Sequence, residues 1–360
     1  MDINLRIPGP TPLPPSVLQA LAQPMIGHRG AEFRQLFRSI TADLQAVFQT
    51  ENDVLLLAAS GTGAMEAAIV NTVAPGGPVL SVSVGYFGDR FAAIAETCGA
   101  AVTRLTFPWG QAAKPEAIVE ALRAAPGTKA VLVTHNETAT GVTNDLEAIA
   151  AAVHSLGEDA PLLLVDAVSA IGAIELRTDA WGCDIVATCS QKALMAPPGL
   201  GLLSVGPKAW KVIENTPARS YYFDLKPLRK RAVEGQTPAT PPVSDMFGLR
   251  AGLDLILAEG LANVFIRHHR VAEHTRQGIT ALGLELFADP GCMSDTVTAV
   301  EFPTGTDSDR IRARLREEFS IAVGGGQGPV KGQIIRIGHM GYVTEADIDP
   351  VIEALATILR

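Results

Sequence analysis

The sequence predicts an α/β fold: a large domain on a mostly parallel, seven-stranded sheet, followed by a smaller C-terminal α+β domain. Three observations carry this. Short apolar, β-branched runs alternate with helical patterns between residues 53 and 205, as in βαβ units. The proline-rich stretch Gln236-Thr237-Pro238-Ala239-Thr240-Pro241-Pro242 then breaks the rhythm. Beyond it, one long helical pattern leads into mixed strands and helices.

In order, Pro8-Gly9-Pro10-Thr11-Pro12-Leu13-Pro14-Pro15 reads as an extended arm, because proline fixes φ and removes a donor. Ser16 is placed to cap a short helix reaching about Gln23. A second helix to about Gln49 carries Phe33, Phe37, Ile40, Leu44 and Val47 at helical spacing. Strands are expected at 53–58, 79–84, 101–107, 130–135, 162–167, 184–189 and 201–205, with helices at 63–73, 88–98, 114–124 and 145–156. All-apolar strands such as Leu162-Leu163-Leu164-Val165 suit burial on both faces. A helical pattern runs from about Ser244 to Leu282, interrupted near Gly260. The tail reads as a strand at 296–302, a helix at 307–318, strands near 320–324 and 333–338, and a last helix at 344–359. The division is an arm (1–15), a large domain (16–243) and a small domain with its linking helix (244–360).

Composition narrows the function. Of 360 residues, 47% are hydrophobic and 19% charged, and the net charge is −9. No basic footprint for nucleic acid is present. The densest basic run, Lys226 to Arg231, reads as a solvated loop. Cys98, Cys183, Cys189 and Cys292 show neither CxxC pairing nor metal-ligand spacing, so no metal site is expected. Such cysteine usage suits a reducing cytosol. The N-terminus lacks a signal pattern, and no apolar run approaches the ~20 residues that span a bilayer. The expectation is a cytoplasmic protein without membrane attachment.

Chemistry gathers where strands end. Lys192 follows the strand Asp184-Ile185-Val186-Ala187-Thr188, the edge at which open α/β sheets place ligands. Desolvation there would lower its pKa, and an uncharged amine is what a Schiff base with an aldehyde requires. Taken alone, a helix-capping surface lysine is the commoner meaning. Ser60-Gly61-Thr62-Gly63-Ala64 joins strand to helix and offers N–H groups to an anion, without the pattern of a P-loop or a full dinucleotide turn. Asp166 ends a buried strand, where a carboxylate needs a cation or a turn to cap. His135-Asn136-Glu137-Thr138 gathers polar groups at the same edge, and Phe87 stands at another strand end. Arg336 alternates with apolar residues on a late strand and could bind a carboxylate in bidentate fashion.

In that order these residues resemble the fold type I, pyridoxal-phosphate enzymes of the class V aminotransferase group. Within it the chain is similar to the alanine–glyoxylate, serine–glyoxylate and serine–pyruvate aminotransferases. The resemblance runs from Pro8-Gly9-Pro10-Thr11 through His28-Arg29 and Ser60-Gly61-Thr62-Gly63 to Arg336-Ile337-Gly338. It implies pyridoxal 5'-phosphate as cofactor, with Lys192 bonded to it and moving the substrate proton. It implies that Asp166 pairs with the ring nitrogen and Phe87 stacks on the ring. Thr62, Gly63, Ala64 and Gln191 would hold the phosphate, with Thr138 near the ring substituents. Thr237 and Thr240 would reach the phosphate of a neighbouring copy, so a homodimer is implied. Arg336 and the Gly9 backbone would hold the substrate carboxylate. The implied reaction takes an amino group from alanine or serine to glyoxylate or pyruvate. Rival readings are a class V transaminase with another donor, a cysteine desulfurase or lyase using Cys292, and, from other classes, a nucleotide-binding protein or a non-catalytic subunit. Arg29 and His28 have no assigned role, though they could brace the arm or the phosphate loop.

Overall fold

A computed structural model describes residues 3–360. Its seven-stranded sheet runs, edge to edge, through Asp53–Ala58, Leu200–Val205, Ile185–Cys189, Leu162–Asp166, Ala130–Thr134, Pro78–Ser83 and Ala101–Thr106. Only Leu200–Val205 is antiparallel to its neighbours; the other pairings are parallel. The C-terminal ends of the other six strands therefore face one way. The loops that follow Ala58, Ser83, Thr134, Asp166 and Cys189 meet there.

The two faces of the sheet explain the apolar runs. Along Asp53–Ala58, Val54 and Leu56 enter one core with Phe33, Phe37, Ile40 and Leu44 of the helix Ala31–Phe48. Leu55 and Leu57 point the other way, into a core with Ala67, Ala68 and Ile69 of the helix Gly61–Thr72. Alternate residues thus bury on opposite faces, and every position from 54 to 58 is apolar.

The smaller sheet is five-stranded: Asn4–Arg6, Ile321–Gly325, Ile334–Gly338, Val297–Glu301 and Glu285–Leu286. Helices Leu261–Ala281, Ser308–Phe319 and Glu345–Ile358 pack on it through residues such as Val271, Leu315 and Ile348. Met246, Leu249, Leu253 and Ile256 of the helix Val243–Glu259 belong to the large sheet's core. The changeover lies along the next helix, where Val264 enters the large core and Val271 the small one.

Several local expectations are corrected. The first helix is Pro15–Leu21 and has no side-chain cap from Ser16; Pro14 is its N-cap and proline opens the first turn. The basic run Lys226 to Arg231 is no loop, because it lies in the helix Leu225–Val233. Asp224 caps that helix by accepting from the Lys226 N–H at 3.0 Å. Arg229 stacks over Trp210 and pairs with Asp53 and Glu214. The arm begins as a strand: Asn4–Arg6 pairs in parallel with Ile321–Val323 of the small sheet. Among the described residues, no helix is long and apolar enough to cross a membrane.

Candidate active site

At the meeting point of the strand ends lies a cavity of about 270 Å³. Lys192 lines it, with Asp166, Phe87, Thr138, Thr62, Gln191 and Gly9 of the expected residues. The Lys192 Nζ donates to the Pro8 carbonyl. Burial pulls its pKa below the usual lysine value, opposed by nearby Cys189 and Asp166. The arm holds this end of the site. Thr11 donates its N–H to Gln191 O at 3.1 Å and its hydroxyl to Lys192 O at 2.9 Å. Residue 9 has to be glycine here. Its φ is +129°, and a Cβ would stand 2.5 Å from the lysine nitrogen.

Asp166 is 3% exposed. One oxygen accepts from the Val168 N–H at 3.0 Å and the other from the Thr134 hydroxyl at 3.4 Å. Burial pushes its pKa up to about 6, opposed by those bonds and by the charges of Lys192 and Arg90. A buried carboxylate facing a cavity is stabilised by a cation placed there. Phe87, rather than its neighbour Tyr86, forms the cavity wall. The two rings meet edge to face at 5.6 Å, and the Arg90 guanidinium lies 4.8 Å from the Phe87 centroid. The helix Gly61–Thr72 begins at the same cavity, capped by the Ser60 hydroxyl, which accepts from the Gly63 N–H at 3.4 Å. Beside it the Gln191 Oε1 is buried without a partner.

Other expected residues stand elsewhere. Ala64 is not at the wall; it packs in the core, and its N–H is taken by Ser60 O at 3.1 Å. Gly63 does not line the cavity either, although its helix turn does. Arg336 is 7% exposed and donates from Nε to Gly325 O at 2.8 Å and from Nη1 to Thr138 O at 3.0 Å. Burial lowers its pKa to about 10, so it stays cationic at neutral pH. Thr237 and Thr240 line a different cavity, of about 570 Å³. There Arg29 finds a role that the sequence left open: it donates to Thr237 O at 2.6 Å, Pro238 O at 3.3 Å and Gln236 Oε1 at 3.2 Å. Cys292 stands outside the Lys192 cavity, with its thiol donating to Gly110 O and Asp289 O and its pKa raised by burial. That is not an activated nucleophile.

The structure also brings in residues that the sequence reading did not single out. Arg90, Met65, Val168 and Ser169 complete the wall. Asn136 donates to the Ser169 hydroxyl at 2.7 Å and the Thr296 hydroxyl at 2.8 Å, which ties the small domain to the wall. Glu137 is wholly buried behind the wall. Asn136 and Glu137 belong to the polar loop His135-Asn136-Glu137-Thr138; Arg90 has only its place one turn after Phe87 as a signal.

These features suit a flat aromatic cation with a phosphate tail. A buried carboxylate, an aromatic ring and the N-terminal turn of a helix line the one cavity. The comparisons agree. The Aminotransferase class-V family pattern matches residues 3–351. The soluble hydrogenase small subunit of a Synechococcus strain is 45% identical, covering 99% of this chain and 92% of that protein. The L-aspartate–glyoxylate aminotransferase of Paracoccus denitrificans is 40% identical, over 94% of this chain and 87% of its own. Among solved structures, an alanine–glyoxylate aminotransferase from a Nostoc species superposes with a TM-score of 0.95 at 35% identity, covering 100% of this chain and 96% of that one. The α/β architecture is thus that of pyridoxal-phosphate aminotransferases. From its third residue nearly to its last, this chain belongs to the class V aminotransferases, which depend on pyridoxal phosphate and exchange amino groups between amino acids and 2-oxo acids.

Proposed function

We propose that this transaminase takes its amino group from a small amino acid, alanine or serine, and gives it to glyoxylate or pyruvate. The observation that carries the reading is the pair Lys192 and Asp166, two desolvated groups lining one cavity. When bound, the cofactor supplies an aldehyde for the amine and a cationic ring that withdraws electrons from the substrate carbon. Lys192 holds that aldehyde and, once freed, carries the proton to and from the substrate carbon. Asp166 keeps the ring nitrogen protonated. Phe87 stacks on the ring, and Thr138 stands near its substituents. Thr62, Gly63, the first turn around Ala64 and Gln191 hold the phosphate, Ala64 through the helix turn alone. Arg336 takes the substrate carboxylate, with the Gly9 backbone closing over it.

Thr237 and Thr240 are assigned to the neighbouring copy's phosphate, in a cytoplasmic homodimer. Their distance from the Lys192 cavity supports this, since they line the other cavity. So do the exposed Tyr221 and Tyr222 beside them.

Glyoxylate appears in the names of both the Paracoccus and the Nostoc enzymes, which supports it as acceptor. Their donors differ, and one observation favours an acidic donor as the second reading. Arg90 lines the cavity and forms no ion pair among the described residues. A guanidinium placed there could meet the distal carboxylate of aspartate.

A donor panel decides between them. Alanine, serine, aspartate and glutamate are each run against glyoxylate and pyruvate. The first reading expects kcat/KM for alanine or serine to exceed that for aspartate by roughly tenfold or more. Preference for aspartate, lost in Arg90→Gln, would establish the second. A protein that stays colourless with added pyridoxal phosphate, or whose borohydride-fixed cofactor maps to a lysine other than 192, would overturn both.

A further inference from the structure

The helix Tyr86–Thr97 carries Phe87 to the cavity, yet its N-cap, Gly85, offers no side chain to the first-turn N–H groups. Two of those groups are nevertheless satisfied. The Phe87 N–H donates to Glu137 Oε2 at 2.8 Å, and the Gly88 N–H to the same oxygen at 3.1 Å. An anion at a helix N-terminus is favourable, and here it arrives from a hairpin about fifty residues further on. The other oxygen, Oε1, accepts from the Ala139 N–H at 2.9 Å. The carboxylate is 0% exposed, and burial raises its pKa to about 7 against the pull of these three N–H groups.

The hairpin side of this contact is as closely defined. Glu137 lies in the short strand Asn136–Glu137, paired with Val142–Thr143. Its carbonyl accepts from the Gly141 N–H at 2.9 Å, which closes the turn that presents Thr138. The Thr138 carbonyl in turn accepts from Arg336 Nη1 at 3.0 Å. One side chain therefore ties the Phe87 wall to the Thr138 wall, and through Thr138 to Arg336. The approach needs room: a Cβ at Gly85 would stand 2.6 Å from Glu137 Cγ.

We propose that Glu137 is a positioning residue, which sets the spacing between the ring-stacking Phe87 and the carboxylate-binding Arg336 by clamping both backbones with one buried carboxylate. The inference rests on the roles assigned above to Phe87 and Arg336. It predicts a specific pattern. Glu137→Gln keeps the size but turns one acceptor into a donor, which must face a backbone N–H. The Phe87 or the Ala139 attachment is then lost, while Lys192 and Asp166 keep their contacts.

The test uses full-length enzyme saturated with pyridoxal phosphate, with wild type measured first. In Glu137→Gln the KM values of amino donor and 2-oxo acid should rise together by roughly tenfold to a hundredfold, as for one lost bond to a charged group. The kcat should stay within about threefold, because the proton-transferring groups are untouched. The visible circular dichroism per bound cofactor should shrink, since it reports how firmly the ring is held in one orientation. Gly85→Ala is the second variant. Its backbone is extended, so the added methyl acts through its contact with Glu137, and it should show the same signature in weaker form. Wild-type circular dichroism and KM in Glu137→Gln, or a lowered melting temperature with neither readout changed, would overturn the proposal. Failure of both variants to fold would also overturn it, since Glu137 would then be a residue of the fold alone. A wild type that neither binds the cofactor nor transaminates would instead refute the functional reading itself.

Discussion

Two cavities of this chain differ in a way that size alone would misjudge. The larger, about 570 Å³, is walled by Leu56, Leu200, Tyr221, Tyr222, Pro238 and Met246. The smaller, about 270 Å³, holds Lys192 and Asp166, with Glu137 and Arg336 just behind its walls. Burial displaces the pKa of all four against the charged form: Lys192 and Arg336 downward, Asp166 and Glu137 upward. A fold tolerates such desolvation where it is put to use, so the concentration of displaced groups marks the chemistry better than volume does. The larger cavity, with its tyrosines at the surface, is the face proposed above to meet a second copy of the chain.

The largest expected effect sharpens this contrast directly. Lys192→Ala should lower transamination by upward of ~10⁴-fold, the top of the range for a positioned proton-transfer group. Steady-state rates with saturating cofactor measure it, and retention of a tenth of the activity would place the chemistry elsewhere. Asp166→Ala comes next. Removing one partner of a buried charge pair costs ~3–5 kcal/mol, so cofactor affinity should fall on the order of 10²–10³-fold. Equilibrium titration of the apo protein measures this, and unchanged affinity would separate Asp166 from the ring.

The same aspartate makes a pH prediction. Its folded pKa of about 6 lies above the unfolded value near 3.9, so ionisation opposes folding. The penalty is absent below pH ~4, grows through the window from pH 4 to 6, and is complete above it. The shift amounts to ~3 kcal/mol lost from the cofactor-free protein as pH rises. Asp166→Asn should remove that part of the slope in denaturant melts across pH, leaving what Glu137 contributes up to pH about 7. An identical slope in the variant would contradict the burial argument.

Much of this was legible in the sequence because the sheet is buried on both faces. Runs such as Val131-Leu132-Val133 suit a buried strand, and the expected strands end within a residue of the observed ones. Asp166 ends a strand, and Lys192, Phe87, Thr62 and Thr138 each follow one closely, so strand ends and polar residues together pointed to the cavity. What stayed illegible depends on contacts distant in sequence or on weak local patterns. Glu137 acquires its meaning from N–H groups some fifty residues earlier. The strand Asn4–Arg6 is three residues long and exists because Ile321–Val323 lies beside it. The helix Leu225–Val233 buries only Leu225 and Leu228, too narrow a stripe to stand out from its basic residues. Ala64 belonged by order to the phosphate turn, but the turn rolls it into the core.

Arg336→Lys gives a smaller effect on the polar cavity. Lysine keeps the charge but loses the planar fork, and with it the paired contacts to Gly325 and Thr138. The KM for both amino acid and 2-oxo acid should rise roughly 10- to 100-fold, with kcat changed far less. An effect on kcat alone would mean that Arg336 does not hold the substrate carboxylate.

The weakest effect tests the apolar cavity. Arg29 holds the backbone of Thr237 and Pro238 in place from the exposed side, and an exposed bond of this kind contributes about 1 kcal/mol. Arg29→Ala should therefore weaken cofactor binding only about three- to tenfold. If Thr237 and Thr240 serve a neighbouring copy, the weakening has a distinctive form. It should disappear when cofactor affinity is compared per subunit in forced monomers, because there the two threonines reach no phosphate in either protein. A dilution series of wild type and Arg29→Ala, with subunit association followed by sedimentation and bound cofactor by absorbance, separates the cases. Affinity that ignores dilution in both proteins would show that the Lys192 cavity is complete within one chain, and the two cavities would then have no common task.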